Sequence, residues 1–220
     1  MPILPSYQRL SFEWMLRKIS GTIEPELIEL EKIGPNKGIA IDIGANEGIF
    51  SYRLSKLYNK VIAFEPNVSI SGHLLEYAKK SNVEFHGIGL SDSSGVSILH
   101  IPIKDGRALH GWSSLHRDNL AEAHSHIELS INLKTLDSFE YENIAFIKID
   151  VEGHELALIK GAVNTLNRCK PVLLIEVKEV NLAAIDQMLQ NLGFKRSDRF
   201  SFNNLENKVY YPINKIFSKS

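Results

Sequence analysis

The chain has 220 residues, 44% of them hydrophobic and 23% charged, the make-up of one globular domain long enough to bury a core. Its 25 basic and 26 acidic residues leave a formal charge of −1, so there is no overall field to gather nucleic acid or anionic lipid. Cys169 is the only cysteine, no apolar run approaches a membrane span and the first residues lack a signal-peptide core, so the expected compartment is the cytoplasm.

Residues 1–36 read as a helical extension ahead of a main domain at 37–220. Phe12, Met15, Leu16 and Ile19 recur at one-face helical spacing. A second helix begins at Pro25, where proline suits a first turn, and runs through Leu27, Ile28 and Leu30 to Gly34-Pro35. The extension is either a packing appendage or a cap over the ends of the strands that follow.

The main domain opens on Ile39-Ala-Ile-Asp42-Ile-Gly44-Ala45-Asn46-Glu47-Gly48. A short apolar strand ends at a carboxylate, turns on two glycines and enters a helix, which is how an α/β domain presents a ligand at a strand's carboxyl end. The Asp-x-Gly-x-x-x-Gly spacing differs from the dinucleotide pattern Gly-x-Gly-x-x-Gly. A carboxylate in the turn would repel a pyrophosphate but suit an ammonium group. S-adenosylmethionine (SAM) carries both that ammonium and a ribose. The competing reading makes Asp42 a helix cap in an ordinary turn.

Lys60 to Phe64 form the next strand, ending in Glu65-Pro66. Glu65 follows Asp42 at close to the offset of about twenty residues at which an acid grips ribose hydroxyls. After a helix from Val68 to Lys80, a third strand is predicted from Val83 to Leu90, ending in Ser91-Asp92-Ser-Ser-Gly95. That polar turn either meets an adenine ring or is simply a self-bonded turn.

Val96 to Ile101 and Ile127 to Leu133 read as two more strands around a long polar loop. The loop holds Gly111-Trp112-Ser113-Ser114, and His110, His116, His124 and His126 lie in or beside it. The histidine spacings match no zinc signature, so they are expected to be solvated, whereas Trp112 suits a wall for an acceptor or cofactor. The strand Asn143 to Ile149 runs into Asp150-Val-Glu152-Gly-His154. Lys148, Asp150 and Glu152 should point the same way, with Lys148 paired to one of these acids or to Glu176 on the strand Val172 to Val177. A helix through Leu192 and a strand-like tail complete the pattern.

These stretches resemble the FkbM family of SAM-dependent methyltransferases. The residues that carry the resemblance are Ile41-Asp42-Ile-Gly44-Ala45-Asn46-Glu-Gly48, Phe64-Glu65-Pro66-Asn67, Leu90-Ser91-Asp92, Leu136-Asp137-Ser138-Phe139, Phe146-Ile-Lys148-Ile-Asp150-Val-Glu152-Gly153-His154-Glu155 and Leu174-Ile-Glu176-Val, across about residues 38–180. The resemblance implies a Rossmann-like class I methyltransferase fold. Its parts are a seven-stranded, mostly parallel sheet with flanking helices, the last strands in a hairpin, and a β-hairpin and loop insertion. It implies SAM held by Asp42, Gly44, Ala45, Asn46, Gly48, Glu65, Pro66, Ser91 and Asp92, and a hydroxyl acceptor on a sugar, glycan or natural product.

The chemistry is expected in the group Lys148, Asp150, Glu152 and His154, with Asp150 and Glu176 as ligands should Mg²⁺ take part. The partner is then a small-molecule or carbohydrate acceptor, without nucleic acid and without a membrane span. Two alternatives stand beside this. One is a SAM-binding scaffold without catalysis. The other is an NAD-dependent oxidoreductase, weakened because the Tyr52 and Lys56 pair lies in the first helix of the domain.

Overall fold

The computed structural model describes residues 5–115, 125–198 and 207–213. His116 and His124 lie outside these. Two helices, α1 (Arg9–Ser20) and α2 (Pro25–Ile33), precede β1 (Ile39–Ile43), α3 (Ile49–Ser55), β2 (Lys60–Phe64), α4 (Gly72–Ala78) and β3 (Val83–His86). After an insertion come β8 (Ile144–Ile149), α5 (Glu155–Lys160), α6 (Val163–Cys169), β9 (Val172–Glu176), α7 (Glu179–Asn191), β10 (Phe194–Arg196) and β11 (Asn207–Pro212). The insertion itself holds β4 (Gly89–Leu90), β5 (Gly95–Lys104), β6 (Arg107–Ala108) and β7 (Ser125–Lys134).

Seven strands form the main sheet in the order β10-β11-β9-β8-β1-β2-β3. The central pairs are parallel, and β11 runs antiparallel to both β9 and β10, so the expected terminal hairpin is present. The chain leaves β1 toward β2 and β3, then returns to place β8 on the other side of β1. Such a switch point opens a crevice at the strands' carboxyl ends.

Side-chain alternation divides the core in two. From β1, Ala40 faces a layer with Leu10, Leu27, Leu30, Leu54 and Leu74, while Ile41 and Ile43 face a layer with Leu158, Leu166, Ile185 and Leu189. Helices α1 and α2 therefore share the main domain's core, as a packing appendage would. In α1, Leu10 is buried and Trp14 packs against the core beneath the Arg53 guanidinium, 5.3 Å from its ring. The predicted stripe Phe12, Met15, Leu16 and Ile19 occupies the solvent side instead. Among the described residues no helix is long and apolar enough to cross a membrane.

The predicted third strand divides. Val83 to His86 stay beside β2, whereas Gly89 and Leu90 leave the main sheet and pair with Leu133 and Lys134 of β7. Glycine permits the crossing, because a Cβ on Gly89 would lie 2.7 Å from Leu133 Cδ2. Strands β4, β7, β5 and β6 form a second, four-stranded sheet dominated by the long antiparallel pair of β5 with β7. This sheet is the predicted insertion, and its inner face closes the crevice.

Candidate active site

The crevice is built on a close backbone contact between the ends of β1 and β8. The Asp150 N–H donates to Ile43 O at 3.1 Å. Gly44, at φ +75°, comes so near that a Cβ there would stand 1.8 Å from Asp150 O. Only glycine fits this point. The Gly44 and Ala45 N–H groups both donate to Phe64 O at 3.0 Å, which ties the turn to β2. At Gly48 a Cβ would meet Leu74 at 2.7 Å, so the second glycine serves the packing of α3 on α4.

Glu65 is held from both sides. Its Oε2 accepts from the Asn46 N–H at 2.9 Å and its Oε1 from the Asn67 N–H at 2.8 Å. Burial pushes its carboxyl above the usual range, while these two donors pull it back. Each oxygen keeps a further acceptor position. Both Glu65 and Pro66 border a cavity whose other walls include Phe64, Ile88, Gly89 and Leu90. A second compartment, bordered by Arg17, Glu24, Ala45, Gly48, Trp112 and Lys148, adjoins the first. Gly44, Asn46, His110, Gly111 and Asp150 border both.

Lys148 is a buried cation beneath the glycine turn. Its Nζ donates to Gly44 O at 2.9 Å and lies 3.1 Å from Asp150 Oδ2, 3.6 Å from Asp42 Oδ1 and 5.0 Å from the Phe50 ring centre. Burial favours the neutral amine, but Asp150 and Asp42 outweigh it and hold the ammonium above its ordinary range. The expected pairing with Asp150 is thus found, and Asp42 takes the place considered for Glu176. Asp42 is wholly buried and accepts the Ser51 hydroxyl at 2.6 Å. It supports the turn from beneath and borders neither compartment, unlike the ligand-facing position expected from sequence. Burial raises its carboxyl, against the pull of Lys148 and Ser51.

Glu152 and His154 border the first compartment, and His154 Nε2 lies 2.9 Å from Ser91 Oγ. Asp92 is exposed and does not border the cavity; Ile88, Gly89 and Leu90 take that wall because the chain has crossed to the second sheet. Asp150, Glu152 and Glu176 bring one carboxylate oxygen each within 4.8 Å of one another. Lys148 opposes Asp150, and Lys178 Nζ is 3.7 Å from Glu152 Oε2.

Several bordering residues went unrecognised in sequence. His110, expected to be solvated, instead borders both compartments and lies 3.1 Å from Asn67 Nδ2 through its Nδ1. Its neighbours in the Gly-Trp-Ser-Ser stretch were the available signal. The Ser114 hydroxyl donates to Glu152 O at 2.8 Å, fastening that stretch to the end of β8. Arg17 and Glu24 come from the helical extension, so the packing appendage also walls the cleft. Trp112 borders the second compartment with its ring largely exposed.

Residues 42–196 match the Methyltransferase FkbM domain. The hexuronic acid methyltransferase AglP of Haloferax volcanii is 30% identical over 162 residues, which cover 70% of this chain and 61% of that protein. The chain therefore spans less than two thirds of that relative's length. The crystal structure of Methyltransferase FkbM from Methylobacillus flagellatus KT superposes with a TM-score of 0.56 at 16% identity, over 80% of this chain and 44% of that one, a likeness of fold. With the match running from Asp42 in β1 to Arg196 in β10, the chain belongs to the FkbM methyltransferase family.

Proposed function

We propose that the cleft transfers a methyl group from SAM to a hydroxyl oxygen of a carbohydrate acceptor. The observation that carries this reading is Glu65, fixed by two backbone N–H groups at the end of β2 with acceptor positions left for a vicinal diol. The fit to SAM is supported by the glycine turn beside it, where no Cβ can enter. When bound, SAM supplies an electrophilic methyl on a sulfonium.

Glu65 holds the ribose, and Phe64, Ile88 and Leu90 offer the apolar slot for the purine. Asn46 and the Gly44 backbone border the junction of the two compartments. Asp150 stands at the same junction and receives the proton that the acceptor hydroxyl gives up. Lys148 is a positioning residue: it holds Asp150 and Gly44 O in fixed relation, which is the main service a displacement in line needs. The Trp112 face suits a sugar ring, and the hexuronic acid specificity named for the Haloferax volcanii relative supports a carbohydrate acceptor. Asp150, Glu152 and Glu176 would supply hard oxygens to Mg²⁺, which would acidify a hydroxyl, although Lys148 and Lys178 already balance two of them.

Calorimetric titration with SAM, S-adenosylhomocysteine and NAD in parallel is the test. Binding of the first two without NAD is expected, followed by turnover in a screen of sugars and uronic acids with and without a chelator. In that assay Asp150→Asn should lower kcat by about 10²–10⁴-fold and leave SAM affinity nearly unchanged. An equal loss in both would recast Asp150 as a SAM contact, and failure of any SAM species to bind would sink the reading.

A further inference from the structure

The outer face of the second sheet carries a cluster that methyl transfer does not use. In the β5–β7 pair, His100 stands opposite Glu128 and Pro102 opposite His126, so His100, His126 and Glu128 share the face turned away from Leu99 and Ile131, which line the cavity. The two imidazole rings meet edge to face with centroids 5.0 Å apart. His126 Nε2 lies 3.1 Å and His100 Nδ1 3.7 Å from one carboxylate oxygen, Glu128 Oε1. Among the described residues, the His100 Nδ1 atom is buried with no hydrogen-bond partner, which leaves its ligand position to be accounted for.

Those separations have a chemical meaning. Ligand bonds of about 2.0–2.2 Å arranged tetrahedrally put the donor atoms roughly 3.3–3.5 Å apart. The two nitrogen-to-oxygen distances lie on either side of that value, and all three donor atoms fall within 4.8 Å of one another. Two imidazoles and one carboxylate suit a borderline divalent ion and not Mg²⁺, whose ligands are oxygens.

We propose that His100, His126 and Glu128 bind a divalent transition-metal ion of the Zn²⁺ class, with water as the fourth ligand. The ion has a path to the cleft. The His100 backbone exchanges hydrogen bonds with Ser114 at 2.9 and 3.0 Å, and the Ser114 hydroxyl holds Glu152 O. A metal fixed on His100 therefore clamps the strand that secures this wall of the first compartment. The site is separate from the carboxylates Asp150, Glu152 and Glu176, and it stands independently of the methyl-transfer reading.

The test is a competition titration of the full, untagged chain with Zn²⁺ against a chromophoric chelator, with Mg²⁺ as a parallel probe. One Zn²⁺ per chain is expected, undisturbed by excess Mg²⁺. His126→Gln and Glu128→Gln should each weaken binding by at least about tenfold, since even outer partners of a metal ligand cost that much. Thermal melting confirms that the variants fold, and Co²⁺ substituted into the wild type should give the visible bands of a four-coordinate ion. The proposal is overturned if no Zn²⁺ binds, if the His126→Gln/Glu128→Gln double variant binds as the wild type does, or if Asp150→Asn/Glu176→Gln removes the ion instead.

Discussion

The two sheets spend their apolar residues differently. In the main sheet, β1 and β9 are buried on both faces almost from end to end. In the second sheet, β5 and β7 bury one side, with Leu99, Ile101 and Ile131 turned inward and Val96 and Ile98 outward. A strand packed on both faces cannot vary, so its chemistry is confined to its end, where Glu65 and Asp150 stand. A strand packed on one face can carry polar groups along its other side, where His100, His126 and Glu128 stand. One sheet is a platform and the other a roof, and damage to them should read out in different measurements.

The largest effect is expected at Lys148, inside the platform. Lys148→Met leaves Asp42 as a buried charge facing only a serine hydroxyl, and should cost about 3–5 kcal/mol in chemical denaturation. A loss below about 1 kcal/mol would mean that Asp42 is folded in its neutral form. Glu65→Ala should come next, weakening SAM binding by about 10–100-fold for one or two charge-assisted hydrogen bonds and lowering the melting temperature, because the Asn46 and Asn67 N–H groups lose their acceptor. Titration with an unaltered affinity would remove Glu65 from the site.

The roof should answer otherwise. Trp112→Ala is expected to raise the acceptor KM by about 5–10-fold, the value of one aromatic face, with SAM affinity unchanged. A shift in SAM binding would erase the distinction between platform and roof. The smallest effect belongs to the platform's flank, where Glu26 is buried in α2, Asn207 pulls against the effect of burial on its carboxyl, and its Oε1 has no hydrogen-bond partner among the described residues. Burial raises its carboxyl above 4.5, so the folded protein keeps this proton to higher pH than the unfolded chain does. Its unfavourable contribution is thus absent below that value and grows as pH rises through the folded pKa. Glu26→Gln should stabilise the protein at pH 7 in chemical denaturation, a gain that fades on acidification. A pH-independent difference would show that Glu26 ionises as readily folded as unfolded.

What the sequence made legible follows the same division. The glycine turn, Glu65 and the Lys148–Asp150 pair could be read because each lies where a short apolar run stops, and that signal is local. The departure of Gly89 and Leu90 from the third strand was not legible, since it depends on Leu133, far along the chain. Asp42 was read as facing a ligand because nothing nearby announces that Ser51 and Lys148 will enclose it from below. The grouping of His100, His126 and Glu128 exists only through strand register, so spacing along the chain could not reveal it. In α1 the helical period was clear, yet period alone did not tell which side meets the core: Leu10 and Trp14 do, and the wider apolar stripe does not.

The roof also has an unusual closure. Leu133 pairs with Gly89 through one neighbour and with Gly95 through the other, so the chain enters and leaves the β5–β7 hairpin at a single spot. The stretch from Gly95 to Leu133 is a cassette whose two ends pair with each other in the second sheet, next to Gly89. Hairpins of other lengths can be grafted there without lengthening any connection in the main sheet. Exchange of that one contiguous stretch would replace the walls that Leu99, His110 and Ile131 give to the cleft, while Glu65 and Asp150, at the ends of main-sheet strands, stay where they are.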